Sequence, residues 1–250
     1  MATTTKPPTT MPPGDMEPVR APSRNLPWPF SLYRTAVGKK YVMAITGIAW
    51  MGYVLAHMVG NLKLYMGAED LNHYGEFLRE LLVPILPRTV TLWLMRTGLI
   101  VALLLHVHAA WSLTRMNHRA DHKYHSRRDF IAANFASRTM RFTGIIVGLF
   151  ILFHLADLTW GWTNPDFIRG DIHHNMIESL TRVPVAIFYI VANLALGVHL
   201  WHGGWSLFQS MGWNNPRFNR ARSWFAWGFA ALIVLGNISF PLAIVTGVVD

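Results

Sequence analysis

Four histidines, His57, His106, His154 and His199, each lie inside a long apolar stretch of this 250-residue chain. An ionisable side chain in an apolar helix is costly to bury and is usually kept for a function. Neutral imidazole binds iron, and two histidines on facing helices of a bundle can form the axial pair of a haem. Four such residues would serve two haems, and two haems stacked in one bundle would carry electrons from face to face.

The elements that must position them are legible from hydropathy. Apolar runs near 40–62, 92–115, 141–162, 183–208 and 224–248 are each long enough to cross about 30 Å of hydrocarbon as an α-helix. Apolar residues make up 52% of the chain and charged residues only 14%, and there are eleven Trp, which sets it apart from an ordinary soluble domain. The expected fold is all-α: an integral membrane bundle of five transmembrane helices. No internal repeat is evident, and one domain is expected over 34–250.

Charge sets the orientation. The net charge of +9 would suit nucleic acid, but its distribution points to a membrane. With the N-terminus inside, the inner side carries Lys6, Arg20, Arg24, Arg34, Lys39 and Lys40, the second loop from Arg115 to Arg141, and Arg217, Arg220 and Arg222. The outer side keeps Lys63, Arg79, Arg88, Arg96, Arg169 and Arg182. Sixteen cations against six is a positive-inside bias, so N-in, C-out is expected.

Depth then pairs the histidines. A helix rises about 1.5 Å per residue, which puts His57 roughly 25 Å beyond Lys40 and His154 roughly 20 Å beyond Arg141, both in the outer half. Helices two and four run the other way, so His106 lies roughly 21 Å below Leu92 and His199 roughly 24 Å below Val183, both in the inner half. His57 is expected opposite His154, and His106 opposite His199. His108 is two residues from His106 and points elsewhere around the helix, so only one of the two can face a given ring. It is read as reaching headgroups. His202, three residues past His199, is read either as a haem propionate contact or as a second headgroup contact.

The remaining segments are simpler. Residues 1–33 are rich in Pro and Thr with no signal-peptide core, and read as a flexible cytoplasmic tail in which Trp28 and Phe30 touch the membrane surface or a partner. Leu71, Tyr74, Phe77, Leu78 and Leu81 recur at helical spacing, predicting a short amphipathic helix on the outer surface, ended by Pro84 and Pro87. The loop 161–182 is expected to cap the bundle. Small residues such as Gly47, Gly52, Gly60, Gly144, Gly148, Gly197, Gly203 and Gly204 would let a porphyrin or another helix approach closely. His118, His122 and His125 have a spacing able to hold a metal on a helix, but no fourth ligand accompanies them and the segment is strongly solvated. With no cysteine, the chain cannot hold a conventional iron–sulfur cluster or attach haem covalently through C-x-x-C-H.

The stretches MAITGIAWMGYVLAHMVGNLK around His57, LHVHAAWSLTRMNHRA around His106, SRTMRFTGIIVGLFILFH ending at His154, and GVHLWHGGWSLFQSMGW around His199 carry a resemblance. Over about residues 34–250 the chain resembles the five-helix, dihaem cytochrome b membrane-anchor subunit of succinate dehydrogenases and fumarate reductases that use menaquinone. The family's second-segment ligand precedes a helix-ending Asn by eleven residues, as His106 precedes Asn117. Its fourth-segment ligand lies four residues before a glycine, which Gly203, Gly204, Trp205 and Ser206 assign to His199 rather than His202.

The resemblance implies two b haems, with His57 and His154 on the outer one and His106 and His199 on the inner. It implies a flavoprotein partner carrying FAD and an iron–sulfur partner docked on the cytoplasmic face, where the basic segments 115–141 and 217–222 would receive it. Electrons from succinate would pass through both haems to menaquinone, in a bacterial inner (plasma) membrane. Glu80 is the foremost candidate for quinone and proton chemistry, ahead of Glu76 and Asp157. His202, Arg138, Arg141 and Trp205 are candidates for propionate contacts. Other readings are a dihaem cytochrome b of a nitrate reductase or formate dehydrogenase type, and a haem-free anchor or transporter. No nucleic-acid partner is expected, and higher oligomers of the complex stay open.

Overall fold

The computed structural model describes residues 27–28, 30–123, 131–213 and 215–250, the side chains of 120–123 and 131–138 excepted. Among them there is no strand. The helices are α1 (Phe30–Tyr33), α2 (Ala36–Asn61), a 3-10 segment (Leu62–Met66), α3 (Ala68–Glu80), α4 (Val90–Lys123), α5 (Ile131–Leu158), α6 (Ile172–Thr181), α7 (Val183–Ser210) and α8 (Pro216–Val245). Five of them, α2, α4, α5, α7 and α8, contain spans long and apolar enough to cross a membrane. The chain is an all-α membrane bundle, and its outward face is correspondingly apolar. Leu94, Leu104, Ile145, Leu149, Leu152 and Leu235 are all at least 60% exposed, where a protein in water would bury such side chains.

Local chemistry starts the helices earlier than hydropathy marks them. Thr35 caps α2 by accepting from Gly38 N at 2.9 Å. Asn215 accepts from Arg217 N at 3.0 Å, and Pro216 sits in the first turn of α8. The segment 217–222, read as loop, is therefore the first turns of a helix. The basic segment 115–141 is likewise largely helical, because α4 runs on to Lys123 and α5 begins at Ile131.

The tail boundary also shifts. Phe30–Tyr33 form a helical turn, and Lys39 Nζ ties it to α2 by donating to the carbonyls of Tyr33 and Arg34 at 2.9 and 3.0 Å. Residues 1–26 lie outside the described residues. Trp28 and Phe30 are 78% and 64% exposed.

α2 packs along α4, and α5 along α7; α7 lies along α8, and α2 also touches both α7 and α8. Met58, Leu200, Ala230 and Ile233 are buried where α2, α7 and α8 meet. By contrast, α2 with α5 and α4 with α7 are not packed along their lengths. The α2–α4 pair and the α5–α7 pair thus meet backbone to backbone mainly through α2 and α7.

One end of the bundle is closed by the 3-10 segment, α3 and α6. Leu64, Leu71, Met176 and Leu180 are buried there with Tyr189, Phe240 and Ile244. The amphipathic helix is present as α3, but its inner face docks on protein: Leu71 is buried, and Asn72 clasps α6. Asn72 Oδ1 accepts from Ile172 N (2.7 Å) and His173 N (3.1 Å), while its amide donates to Asp171 at 2.9 Å. This is the capped end; the end carrying α1 and the 115–141 segment is the basic end.

Candidate functional site

The four histidines meet between these two helix pairs. His57 of α2 faces His154 of α5 with ring centroids 5.8 Å apart, and His106 of α4 faces His199 of α7 at 6.4 Å. His106 lies against Thr46 and His199 against Thr143, each eleven residues before the capped-end histidine of the same helix. That separation is about 16 Å along the axis, and it is the same on both sides.

Each imidazole is anchored through Nδ1. Thr46 Oγ1 donates to Val42 O at 2.7 Å, so its oxygen is left to accept, and His106 Nδ1 lies 3.1 Å from it. Thr143 repeats this, donating to Thr139 O at 2.7 Å with His199 Nδ1 at 3.3 Å. At the capped end, His57 Nδ1 is 3.2 Å from the Asn61 amide and His154 Nδ1 is 3.3 Å from the Tyr189 hydroxyl. Where Nδ1 donates, as it can to Thr46 and Thr143, the ring is fixed and Nε2 keeps its lone pair free to bind a metal, whereas the Asn61 amide donates to His57 Nδ1.

The repeated anchoring exposes an internal repeat that inspection of the sequence missed. Met43-x-x-Thr46-Gly47 and Met140-x-x-Thr143-Gly144 stand at the same distance before His57 and His154. A Cβ built on Gly47 would meet His106 Cε1 at 3.6 Å, and one on Gly144 would meet His199 Cε1 at 3.5 Å. The two glycines therefore seat equivalent rings. The four matched residues, Met, Thr, Gly and His, are too few to stand out from a background of apolar helix.

The pairs fit a bis-histidine haem. With metal–imidazole bonds of about 2 Å, two rings trans across one metal have centres about 6 Å apart. Both observed separations fall at that value. The donor set, two neutral imidazoles from helices that are not packed together, is also the one a porphyrin needs. Among the described residues no cluster of three or more His, Asp or Glu forms a site for a bare metal ion.

The other sequence candidates are placed as follows. His108 turns to the opposite side of α4, its Nδ1 2.5 Å from the Tyr33 hydroxyl, so its partner is α1 rather than headgroups alone. Burial raises the Tyr33 pKa. His202 is buried, 3.2 Å from Thr139 Oγ1 and stacked on Trp201 at 4.4 Å. Trp205 lies under the Arg222 guanidinium, 4.6 Å from its centroid. Arg141 reaches His118 Nε2 at 3.3 Å. The side chains of Arg138 and His122, and all of His125, lie outside the described residues.

Glu80 stands 60% exposed at the end of α3, 3.7 Å from Arg88. Glu76 is bonded to Arg79 and Arg88; desolvation raises its carboxyl, but the hydrogen bonds and charges of the two guanidiniums prevail and lower it. Asp157 reaches His154 through the Tyr189 hydroxyl. It is fully buried, paired with Arg182 Nη2 at 2.7 Å, and accepts from Ser179, Thr163 and Tyr189.

Sequence reasoning missed Tyr189, Thr46, Thr143, Asn61 and Arg222. The threonines were legible as the repeated Thr-Gly; Tyr189 carried no signal. Arg222 was counted as surface charge, yet it is 6% exposed beside Trp205.

Fold and site together define a class: a membrane bundle of five spanning helices whose core holds two level pairs of imidazoles. No family model, curated protein or solved structure matches the chain.

Proposed function

We propose that this chain is a dihaem cytochrome b serving as the membrane anchor of a succinate dehydrogenase or fumarate reductase. Its soluble partners would be a flavoprotein with FAD and an iron–sulfur subunit, and its electron acceptor menaquinone. The observation that carries the haem reading is the double pairing: two sets of facing histidines, each about 6 Å between centres, each ring held through Nδ1. The particular complex rests on the sequence resemblance around those four residues.

Two bound haems would supply one-electron steps between the ends of the bundle. The residues do the rest. His106 and His199 hold the basic-end site, backed by Thr46 and Thr143, and His57 and His154 hold the capped-end site, backed by Asn61 and Tyr189. Arg222, Trp205 and His202 gather donor groups toward the basic end, where haem propionates would need them. The positive-inside bias supports a basic end on the cytoplasmic side of a bacterial plasma membrane, where the iron–sulfur partner docks.

The test is a reduced-minus-oxidised spectrum of the purified protein with haem quantified per chain. Two b-type components are expected, one lost in His57→Ala and His154→Ala, the other in His106→Ala and His199→Ala. A wild-type protein without b bands sinks the reading. Copurification of flavin and iron–sulfur subunits with succinate–quinone activity separates this complex from a nitrate reductase or formate dehydrogenase type.

A further inference from the structure

The four imidazoles are not anchored alike. His106 and His199 rest on threonine hydroxyls whose own protons go to backbone carbonyls, so their Nδ1 partners are neutral. His57 lies beside an amide. His154 alone of the four begins a hydrogen-bond chain that ends on a carboxylate: His154 Nδ1 to Tyr189 Oη at 3.3 Å, and Tyr189 Oη to Asp157 Oδ2 at 3.2 Å.

The direction of that chain follows from donor capacity. A carboxylate only accepts, and Asp157 takes Arg182 and Thr163 on Oδ1 and Ser179 and Tyr189 on Oδ2. Tyr189 has one hydroxyl proton, and it goes to Asp157. Its oxygen can then only accept, so the proton between it and His154 sits on Nδ1. Nε2 is left with its lone pair turned to the metal side. A carboxylate transmitted through a phenol also polarises the Nδ1–H bond and makes the imidazole a stronger donor to iron.

We infer that Asp157, acting through Tyr189, is a positioning residue that fixes the tautomer of His154 and makes the capped-end site the more electron-rich for it. The inference rests on the haem reading above. A more basic ligand favours ferric iron, so removing the chain should raise the potential of that haem and leave the other unchanged.

Tyr189→Phe is the informative variant, because the ring keeps its packing against Phe150 and Phe153 and Asp157 keeps Arg182. In a redox titration of the full-length protein, the component that His154→Ala removes should shift positive by about tenfold in its oxidation equilibrium, about 59 mV for one electron. Its low-temperature EPR signal should move with it. Asp157→Asn should move the same component in the same direction. Two unmoved components, or two that move equally, would overturn the inference. If the wild-type protein holds no haem, the functional reading falls, and 15N shifts of His154 still decide the tautomer: Nδ1–H in the wild type and a mixture in Tyr189→Phe support the inference, whereas the same tautomer in both refutes it.

Discussion

His57 and His154 bring their rings to 5.8 Å between centroids although their helices, α2 and α5, are not packed along one another. The contact between α2 and α5 at this level is thus made by the two rings, set edge to face, rather than by their backbones.

The proposed haem reading gives the two neighbouring histidines of α4 different roles. His106→Ala should remove one of two haem components, and His108→Ala should leave both, because His108 is bonded to Tyr33 on the far side of the helix. Haem per chain in the two variants measures this; loss in His108→Ala would reverse the assignment.

Thr46→Val and Thr143→Val keep side-chain shape but strip an acceptor from a buried Nδ1–H. Each should cost about 1–3 kcal/mol at the basic-end site and loosen its haem, with the capped-end component untouched. Haem retention on dilution into detergent reports the difference.

Asp157 is buried and its charge is met by Arg182, itself only partly exposed. Arg182→Met should leave the carboxylate uncompensated and cost about 3 kcal/mol. Adding Asp157→Asn should recover part of the lost thermal stability. A single variant as stable as the wild type would show that other donors suffice.

The α3–α6 clasp should respond to acid. Hydrogen bonds from His174 N and then Asn72 hold the Asp171 carboxyl below its usual value. A depressed carboxyl stabilises the fold fully above its ordinary range, and that contribution is lost as pH falls through the native value, below about pH 4. Amide exchange in α6 should accelerate there, with the acid dependence reduced in Asp171→Asn.

Gly60→Ala should disturb the same cap. A Cβ there would lie 2.6 Å from Tyr74 Cε1, so the Tyr74 ring, or α3 with it, would have to shift. Retained cap protection with an unchanged melting temperature would contradict the close approach.

Hydropathy alone marked five spanning helices, since twenty apolar residues in a row have few other solutions in a bilayer. Helical rise alone paired the four histidines by level, because alternating direction turns residue number into depth. Helix ends were legible only through caps: Asn215-Pro216 begins α8 well before the apolar run, and Thr35 begins α2. The acid behind His154 was harder. Asp157, Tyr189 and Arg182 are far apart in sequence and converge only when α5, α6 and α7 pack.

The chain by itself therefore determined the class of fold and the level of each imidazole, both consequences of local periodicity and length. Which face of α4 turns inward, which nitrogen of each ring is held and which acid stands behind His154 were decided by packing. Those depend on rotation of whole helices about their axes, and that angle is set by side chains distant in sequence rather than by any residue's immediate neighbours.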